Sequence, residues 1–474
     1  MILERETPFW RNDDKGNIKI VNSELLKFLA DNGFVRIKLA DANHILVKNN
    51  NNRIRITSEA EMIAFVGDYL KKIKENKVYE MFVSSVGNLI NNKKLSFLPV
   101  DELPRDRDRK DSGIFYYQNC YSVISEDGIE VKEYSELPYV IWESRIIKHD
   151  YVQDKDKSIG QFQQFCFNIS KKDENRFLSL KTILGYLLHR CKIKDEAKAI
   201  ILYDENMVLN DKTNGGTGKT LLSIALSKVR DLELFDGKSI KNDSWFKNQR
   251  INLTTDIITY DDLNKTTSLE LFYSMITTGV EVEKKRKDAF YIKHEDSPKI
   301  IITSNYPVKG PGGSSDLRRR FEFEVANYYD EEFTPEKEFG NMFFNEDWGI
   351  EEWQKFYHFL MECLTSYLKY GLVKATPINY NQKKLEMNTS KEFLEFADDF
   401  LDFNFWDDKR EAEALFKECY PEETISPHRF NKWLKEYCFE NDAELETKST
   451  GSNYLFKMTK NVKGDEEDCV QSNK

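Results

Sequence analysis

The segment TNGGTGKT, residues 213–220, carries glycines, a lysine and a threonine in an order that suits a phosphate-holding loop. Backbone N–H groups of Gly215, Gly216, Thr217 and Gly218 can point at phosphate oxygens where a helix begins, because the first turn of a helix leaves its N–H groups free and carries partial positive charge. The next residues, LLSIALSKV, have the composition of that helix. Lys219 would reach the β- and γ-phosphates, and the Thr220 hydroxyl would ligate Mg²⁺. The pattern G-x-x-x-x-G-K-[ST] lacks its first glycine, which Thr213 replaces, and the upstream apolar run AIILY ends well before the glycines. The path from strand to loop stays open. A glycine turn followed by a chance Gly-Lys-Thr is the competing reading.

Further along, DIITYDDL ends an apolar run with two carboxylates. Asp261 suits a water-mediated contact to Mg²⁺, and Asp262 can polarise an attacking water. KIIITSN ends in Asn305, whose amide can position that water beside a γ-phosphate. SSDLRRRFEFEV then brings three arginines ahead of an alternating strand. A guanidinium supplied by a neighbouring subunit is the right group to meet γ-phosphate charge in the transition state. Arg320, next to Phe321, is the first candidate and Arg319 the second, with Arg318 the remaining choice. Taken singly, each feature has a plain alternative: an acidic strand end, a turn-forming asparagine, an arginine paired with the local glutamates.

Between Asp262 and Asn305 lies TGVEVEKKRKDAFYIKHEDSP. Val280 and Val282 alternate with Glu281 and Glu283, Phe290 and Ile292 alternate opposite them, and Lys284, Lys285, Arg286 and Lys287 fall between. The spacing predicts a β-hairpin with cations at its tip. Such a tip can grip a single-stranded backbone without reading its bases. A solvated charged turn is the alternative.

The elements that must position these residues begin near Ala197. AIILY, DIITY and KIIIT are short, nearly continuous apolar runs, the pattern of strands buried on both faces of a parallel sheet. Helical stretches separate them, as a layered α/β domain requires. IEEWQKFYHFLMECLTSYLKYG reads as a long amphipathic helix closed by Gly371. Before this core, residues 1–155 read as mixed α/β, with a helix over SELLKFLADNGF, strands in FVRIKL and HILVKNNNNRIRIT, a helix opened by Ser58, and LPRDRDRKDSG as a charged linker. Residues 156–196 form a helical collar, 197–345 the core, 346–389 a helical extension and linker, 390–460 a last folded piece, and 461–474 a disordered acidic tail. In that last piece Ser426 and Pro427 open a helix, and STGSN marks the turn of a hairpin. Helix plus hairpin suggests a winged helix that could hold duplex DNA through Arg429 and Lys432. A small helical cap without DNA contact is the alternative.

The order of motifs over 197–345 resembles the superfamily 3 helicases of viruses, phages and mobile elements. Lys219, Thr220, Asp261, Asp262, Asn305 and Arg320 stand where that family's motifs place its site, and Lys285 and Arg286 match its DNA-contacting hairpin tip. The segments YSELPYVIWESRIIKHDYV and LSLKTILGYLLHRC are similar, less specifically, to the region preceding the helicase in phage and plasmid primase-helicases. The resemblance implies an AAA+-like P-loop core, a homo-oligomeric ring, a hexamer for preference, ATP and Mg²⁺ at subunit interfaces, and 3′-to-5′ travel on single-stranded DNA during replication. It also implies a bacterial host cytoplasm and a separate primase or polymerase as partner.

The bulk composition agrees with these expectations. The net charge of −11 leaves no global basic field, so contacts with a polyanion must be local. The seven cysteines include no C-x-x-C pair, which argues for a reducing compartment and against a zinc site. No apolar run approaches the ~20 residues of a membrane span. A primase would need paired metal-binding carboxylates on a strand, and the early pair, Asp106 and Asp108, sits in the charged linker. No primase activity is therefore expected. Two other functions compete: an ATPase switch of initiator or defence type that separates no strands, and a DNA-binding module whose nucleotide site is crippled by Thr213.

Overall fold

The computed structural model describes residues 8–38, 44–50, 52–102, 107–153, 158–205, 216–240, 248–285, 289–451 and 453–460. Thr213, Gly215, Arg286, Lys287, Asp106 and the acidic tail 461–474 lie outside the described residues. The chain divides into two compact units, residues 1–203 with 215–376, and 204–214 with 377–474.

The centre of the first unit is a five-stranded sheet. Its strands are β1 (Ala199–Asp204), β2 (Leu232–Asp236), β3 (Ile257–Asp261), β4 (Lys299–Ser304) and β5 (Arg320–Val325), in spatial order β2-β3-β4-β1-β5. The pairs β2–β3, β3–β4 and β1–β4 are parallel. All residues of β1 and β4 are buried, which is why they read as unbroken apolar runs. Three helices matter for the site: α1 (Glu174–Leu188), α2 (Lys219–Leu226) and α3 (Ile350–Tyr370). Leu180, Ile183, Leu184 and Leu187 of α1, Leu222 and Leu226 of α2, and Phe356, Phe359 and Leu360 of α3 share one core with Ile200, Leu202, Ile257 and Ile301 of the sheet.

Chain order fixes where a ligand can sit. From β1 the chain passes through α2 to β2, beyond β4 and β3; from β4 it passes to β5, on the other side of β1. Adjacent strands thus send their connections in opposite directions. In open α/β sheets the crevice at the carboxyl ends of such a strand pair is the ligand-binding position.

N-terminal to the core, a second five-stranded sheet runs in the order Ile141–Trp142, Arg53–Ile56, His44–Asn50, Phe34–Lys38, Val100–Asp101. Helices Asn22–Asp31, Glu59–Lys72 and Asn76–Leu89 pack Phe28, Val66, Leu70 and Phe82 into a separate core with Phe34. Ser58 opens the Glu59–Lys72 helix, its hydroxyl accepting from the Glu61 N–H at 3.3 Å. Residues 112–132 form a three-stranded antiparallel sheet whose Phe115 and Ile124 belong to the same core as Phe162 and Leu360.

The segment expected as a charged linker is instead partly buried. Asp108 accepts from the N–H of Ile114 at 3.2 Å and of Arg190 at 2.7 Å, and lies 3.1 Å from the Arg190 guanidinium, with Arg230 at 4.0 Å. Arg107 reaches Asp296 at 2.9 Å and Asp256 at 3.6 Å. Sequence alone could not show this, because these partners lie far along the chain.

In the second unit, helices Lys391–Phe400, Lys409–Cys419 and Pro427–Glu440 enclose Phe393, Phe396, Phe416, Phe430, Trp433 and Leu434. A three-stranded antiparallel sheet, ordered Trp406–Asp408, Asn453–Lys460, Ala443–Thr450, adds Phe456 and Met458 to that core. The hairpin over 443–460 turns at Gly451, and Ser426 caps its helix by accepting from the Arg429 N–H at 3.3 Å. Among the described residues no helix is long and apolar enough to cross a membrane.

Candidate nucleotide site at the carboxyl edge of the sheet

The glycines enter α2 through left-handed backbone: Gly216 has φ +98° and Gly218 φ +99°. A Cβ on Gly218 would stand 2.6 Å from the Phe165 ring, so the loop is closed down on an aromatic floor that only glycine fits. Phe165 is held in turn by stacking on Tyr329 at 5.5 Å. Nothing in the sequence around TNGGTGKT points to Phe165.

The residues singled out from sequence meet here. The Lys219 ammonium donates to Asn305 Oδ1 at 3.2 Å. Asn305 Nδ2 donates to Asp262 Oδ1 at 3.1 Å. The Thr220 hydroxyl lies 3.2 and 3.1 Å from the two Asp261 carboxylate oxygens. Side chains from the start of α2 and the ends of β3 and β4 thus form two hydrogen-bonded sets at the carboxyl edge of the sheet.

Two further residues complete the sets. Thr303, two residues before Asn305, donates its hydroxyl to Asp261 Oδ1 at 2.7 Å and accepts from the Asp262 N–H at 2.7 Å. It was visible only as a polar residue inside KIIITSN. Lys238, just past β2, forms an ion pair with Asp262, and that carboxylate raises the lysine's pKa. Gly237 lets the chain pass: a Cβ there would stand 2.7 Å from the Asp261 carbonyl oxygen. Asp262 itself has φ +56°, an uncommon conformation for a residue with a side chain. Backbone held this way costs on the order of 1–3 kcal/mol and persists where its surroundings impose it. Here the turn aims the carboxylate at Asn305 and Lys238.

The donor set fits Mg²⁺. A hydroxyl and a carboxylate, all oxygen and a few ångströms apart, are what a hard, octahedral, partly hydrated cation takes. Lys219 at the helix entrance adds the positive charge that a polyphosphate needs.

The three arginines separate. Arg320 is nearly enclosed, pairing with Glu322 at 3.1 Å and Asp316 at 3.5 Å and donating to the Val308 carbonyl at 2.8 Å. Arg319 donates to the Ser315 carbonyl at 2.8 Å and lies 4.6 Å over the Tyr273 ring. Arg318 is exposed. Within this chain Arg320, the first candidate from sequence, is thus engaged with local carboxylates.

Strands Gly279–Val282 and Phe290–Lys293 pair antiparallel, with Val282 opposite Phe290, as the alternation predicts. Lys285 is exposed, but Lys284 is turned back, its ammonium 2.5 Å from Asn252 Oδ1. Arg286 and Lys287 lie outside the described residues. In the second unit Arg429 and Lys432 are exposed, with Arg429 4.8 Å over the Trp433 ring.

No family model matches the chain. No curated protein matches it either. Among solved structures 111 chains do. The apo NrS-1 C-terminal region is similar over 92% of this chain and 99% of its own, at 12% identity and TM-score 0.43. A second apo structure of that region, residues 305–718, is similar over 92% of this chain and 98% of its own, at 13% identity and TM-score 0.44. The JCV helicase, solved with a small molecule bound, is similar over 50% of this chain and 63% of its own, at 13% identity and TM-score 0.27.

Proposed function

We propose that the protein is an ATP-dependent, ring-forming DNA helicase that acts in the replication of a phage, plasmid or mobile element and moves on single-stranded DNA. The observation that carries this reading is the contact set joining Lys219, Asn305 and Asp262 on one side and Thr220, Asp261 and Thr303 on the other. Residues from three sequence-distant segments converge at the crevice where an open α/β sheet takes its ligand.

Lys219 binds the β- and γ-phosphates, and Thr220 with Asp261 would hold Mg²⁺, which neutralises charge on the phosphates. Asp262 accepts a proton from the attacking water, and Asn305 fixes both Asp262 and that water. Lys238 holds Asp262 in place before substrate arrives. Of the arginines, Arg318 suits transfer to a neighbour's γ-phosphate, because its guanidinium is exposed while Arg319 and Arg320 are engaged at home. Lys285, with Arg286 and Lys287, contacts the single strand, and Arg429 and Lys432 contact duplex DNA from a winged-helix-like domain.

The test is ATP turnover and fork unwinding by purified protein. Lys219→Ala abolishes both. Alanine at Lys284–Lys287 removes the stimulation of ATP turnover by single-stranded DNA and removes strand separation; stimulation that persists sinks the channel assignment. A second reading, an ATPase switch without strand separation, is favoured by one observation: Lys284 is docked on Asn252 instead of projecting. It predicts ATP-dependent oligomers that never open a fork.

A further inference from the structure

On the far side of α2 from the phosphate loop lies a cleft of about 810 Å³. Its size falls in the ~300–1,000 Å³ range of sites that enclose small ligands. We propose that this cleft binds a short segment of single-stranded nucleic acid, with phosphodiesters on Lys148 and Lys228 and a base against the His149–Trp353 aromatic wall.

Four cations line the cleft. Arg145 and Arg230 are buried and engaged with Asp256 and Asp108, which leaves Lys148, from the chain leading to the collar, and Lys228, from the turn that ends α2. Neither forms an ion pair with a described carboxylate; the Lys228 ammonium lies 5.5 Å over the Phe344 ring. They are near enough that Lys148 adds to burial in lowering the pKa of Lys228. Two like charges held together without a counter-ion form a place for an anion. The described lining carries one carboxylate, Glu346, which is exposed at the surface.

The same lining carries aromatic residues, with His149 half-buried over the buried Trp353. The His149 ring lies 4.4 Å from Trp353 and is oriented by a 2.7 Å contact between Nδ1 and the Tyr357 hydroxyl. Ile350, 60% exposed, forms an apolar edge of the same cleft. Cations beside aromatic faces are the ordinary means of holding single strands.

The geometry favours a phosphodiester chain over a free polyphosphate. Among the described lining residues no glycine loop converges on the cleft, and α2 presents its C-terminal end there, where partial negative charge opposes a dense anion. A strand spreads one charge per phosphate and needs only one ammonium for each. Its binding would load the C-terminal end of the helix whose N-terminal end carries Lys219 and Thr220.

The test needs no ATP, so its failure is distinct from failure of the nucleotide site. Anisotropy of a labelled oligothymidylate is followed against salt with full-length protein carrying alanine at all four of Lys284, Lys285, Arg286 and Lys287. Adding Lys148→Ala and Lys228→Ala is expected to weaken binding at least tenfold. It should also flatten the log K against log salt slope by about 1.4, the release due to two single-strand phosphates. Arginine at both positions should keep both, and His149→Ala should weaken binding with the slope unchanged. If the double alanine variant fails to fold, Lys148→Ala alone should flatten the slope by about 0.7. An unchanged slope overturns the proposal. So does displacement by ATP or inorganic phosphate as readily as by unlabelled oligothymidylate, which would assign the cleft to a free phosphate compound.

Discussion

The central sheet carries charge at both edges and treats it in opposite ways. At the carboxyl edge Lys219, Asp261, Asp262 and Lys238 are partly or fully exposed and joined by side-chain hydrogen bonds and an ion pair. At the amino edge Asp108, Arg190, Arg230, Arg145 and Asp256 are buried. Arg145 pairs with Asp256 at the start of β3 and donates to the Thr254 carbonyl at 3.0 Å. Burial alone would raise the carboxyl pKa values of Asp108 and Asp256, yet the surrounding guanidiniums hold both below the ordinary value. Lys299, the first residue of β4, gives its ammonium to the carbonyls of Tyr186 and His189, and burial lowers its pKa to about 7. One edge thus keeps charge available for a ligand. The other spends its charge internally, fastening residues 107–145 to α1 and the sheet. Change at the amino edge should register in stability, and change at the carboxyl edge in chemistry.

The sharpest break of this contrast is Asp108→Ala. It leaves Arg190 and Arg230 buried without their carboxylate, and removing one partner of such a pair costs about 3–5 kcal/mol. Denaturant titration should show that loss; a change under ~1 kcal/mol would mean that the network is solvated.

Lys299 gives the pH arm. Its folded pKa, about 7, lies below the ordinary 10.5, so the unfolded chain binds more protons between those values. Stability from this group therefore rises with pH across that window, by at most about 1.4 kcal/mol per unit, and is flat outside it. Measured against Lys299→Met, the wild-type protein should gain stability from pH 7 to pH 10. A difference constant with pH would show that Lys299 titrates normally.

Thr303→Val sits between the two regimes. It removes the hydroxyl that joins Asp261 to the Asp262 N–H, and a lost hydrogen bond of this kind costs about 1 kcal/mol. ATP turnover should fall more than stability does, with a raised Mg²⁺ requirement. The smallest stability effect belongs to Lys238→Ala, an exposed pair worth ~0–1 kcal/mol. Calorimetry should barely register it, whereas freeing Asp262 should change turnover in either direction; unchanged turnover would mean that the lysine does not govern Asp262.

Much of the carboxyl edge was legible in the sequence. The glycine loop, the aspartate pair, the asparagine and the hairpin each have a local signature: a period, a strand end, a helix start. The amino edge was not. RDRDRKD reads as a solvated linker because nothing adjacent reveals that Arg107 will meet Asp296 or that Asp108 will meet Arg190 and Arg230. The choice among Arg318, Arg319 and Arg320 was equally hidden, since identical side chains in a row differ only in what surrounds them.

By itself the sequence determined which segments become buried strands, where the glycine loop opens a helix, and which residue types stand at the strand ends. Those are consequences of hydrophobic period and backbone freedom, properties of neighbours in the chain. Only the tertiary structure decided which charges are neutralised and which stay open: Lys284 against Asn252, Arg320 against Glu322, Asp108 against Arg190. The electrostatic cost of a charge depends on its burial and its partners, and both are set by segments distant in sequence that meet only when the fold closes.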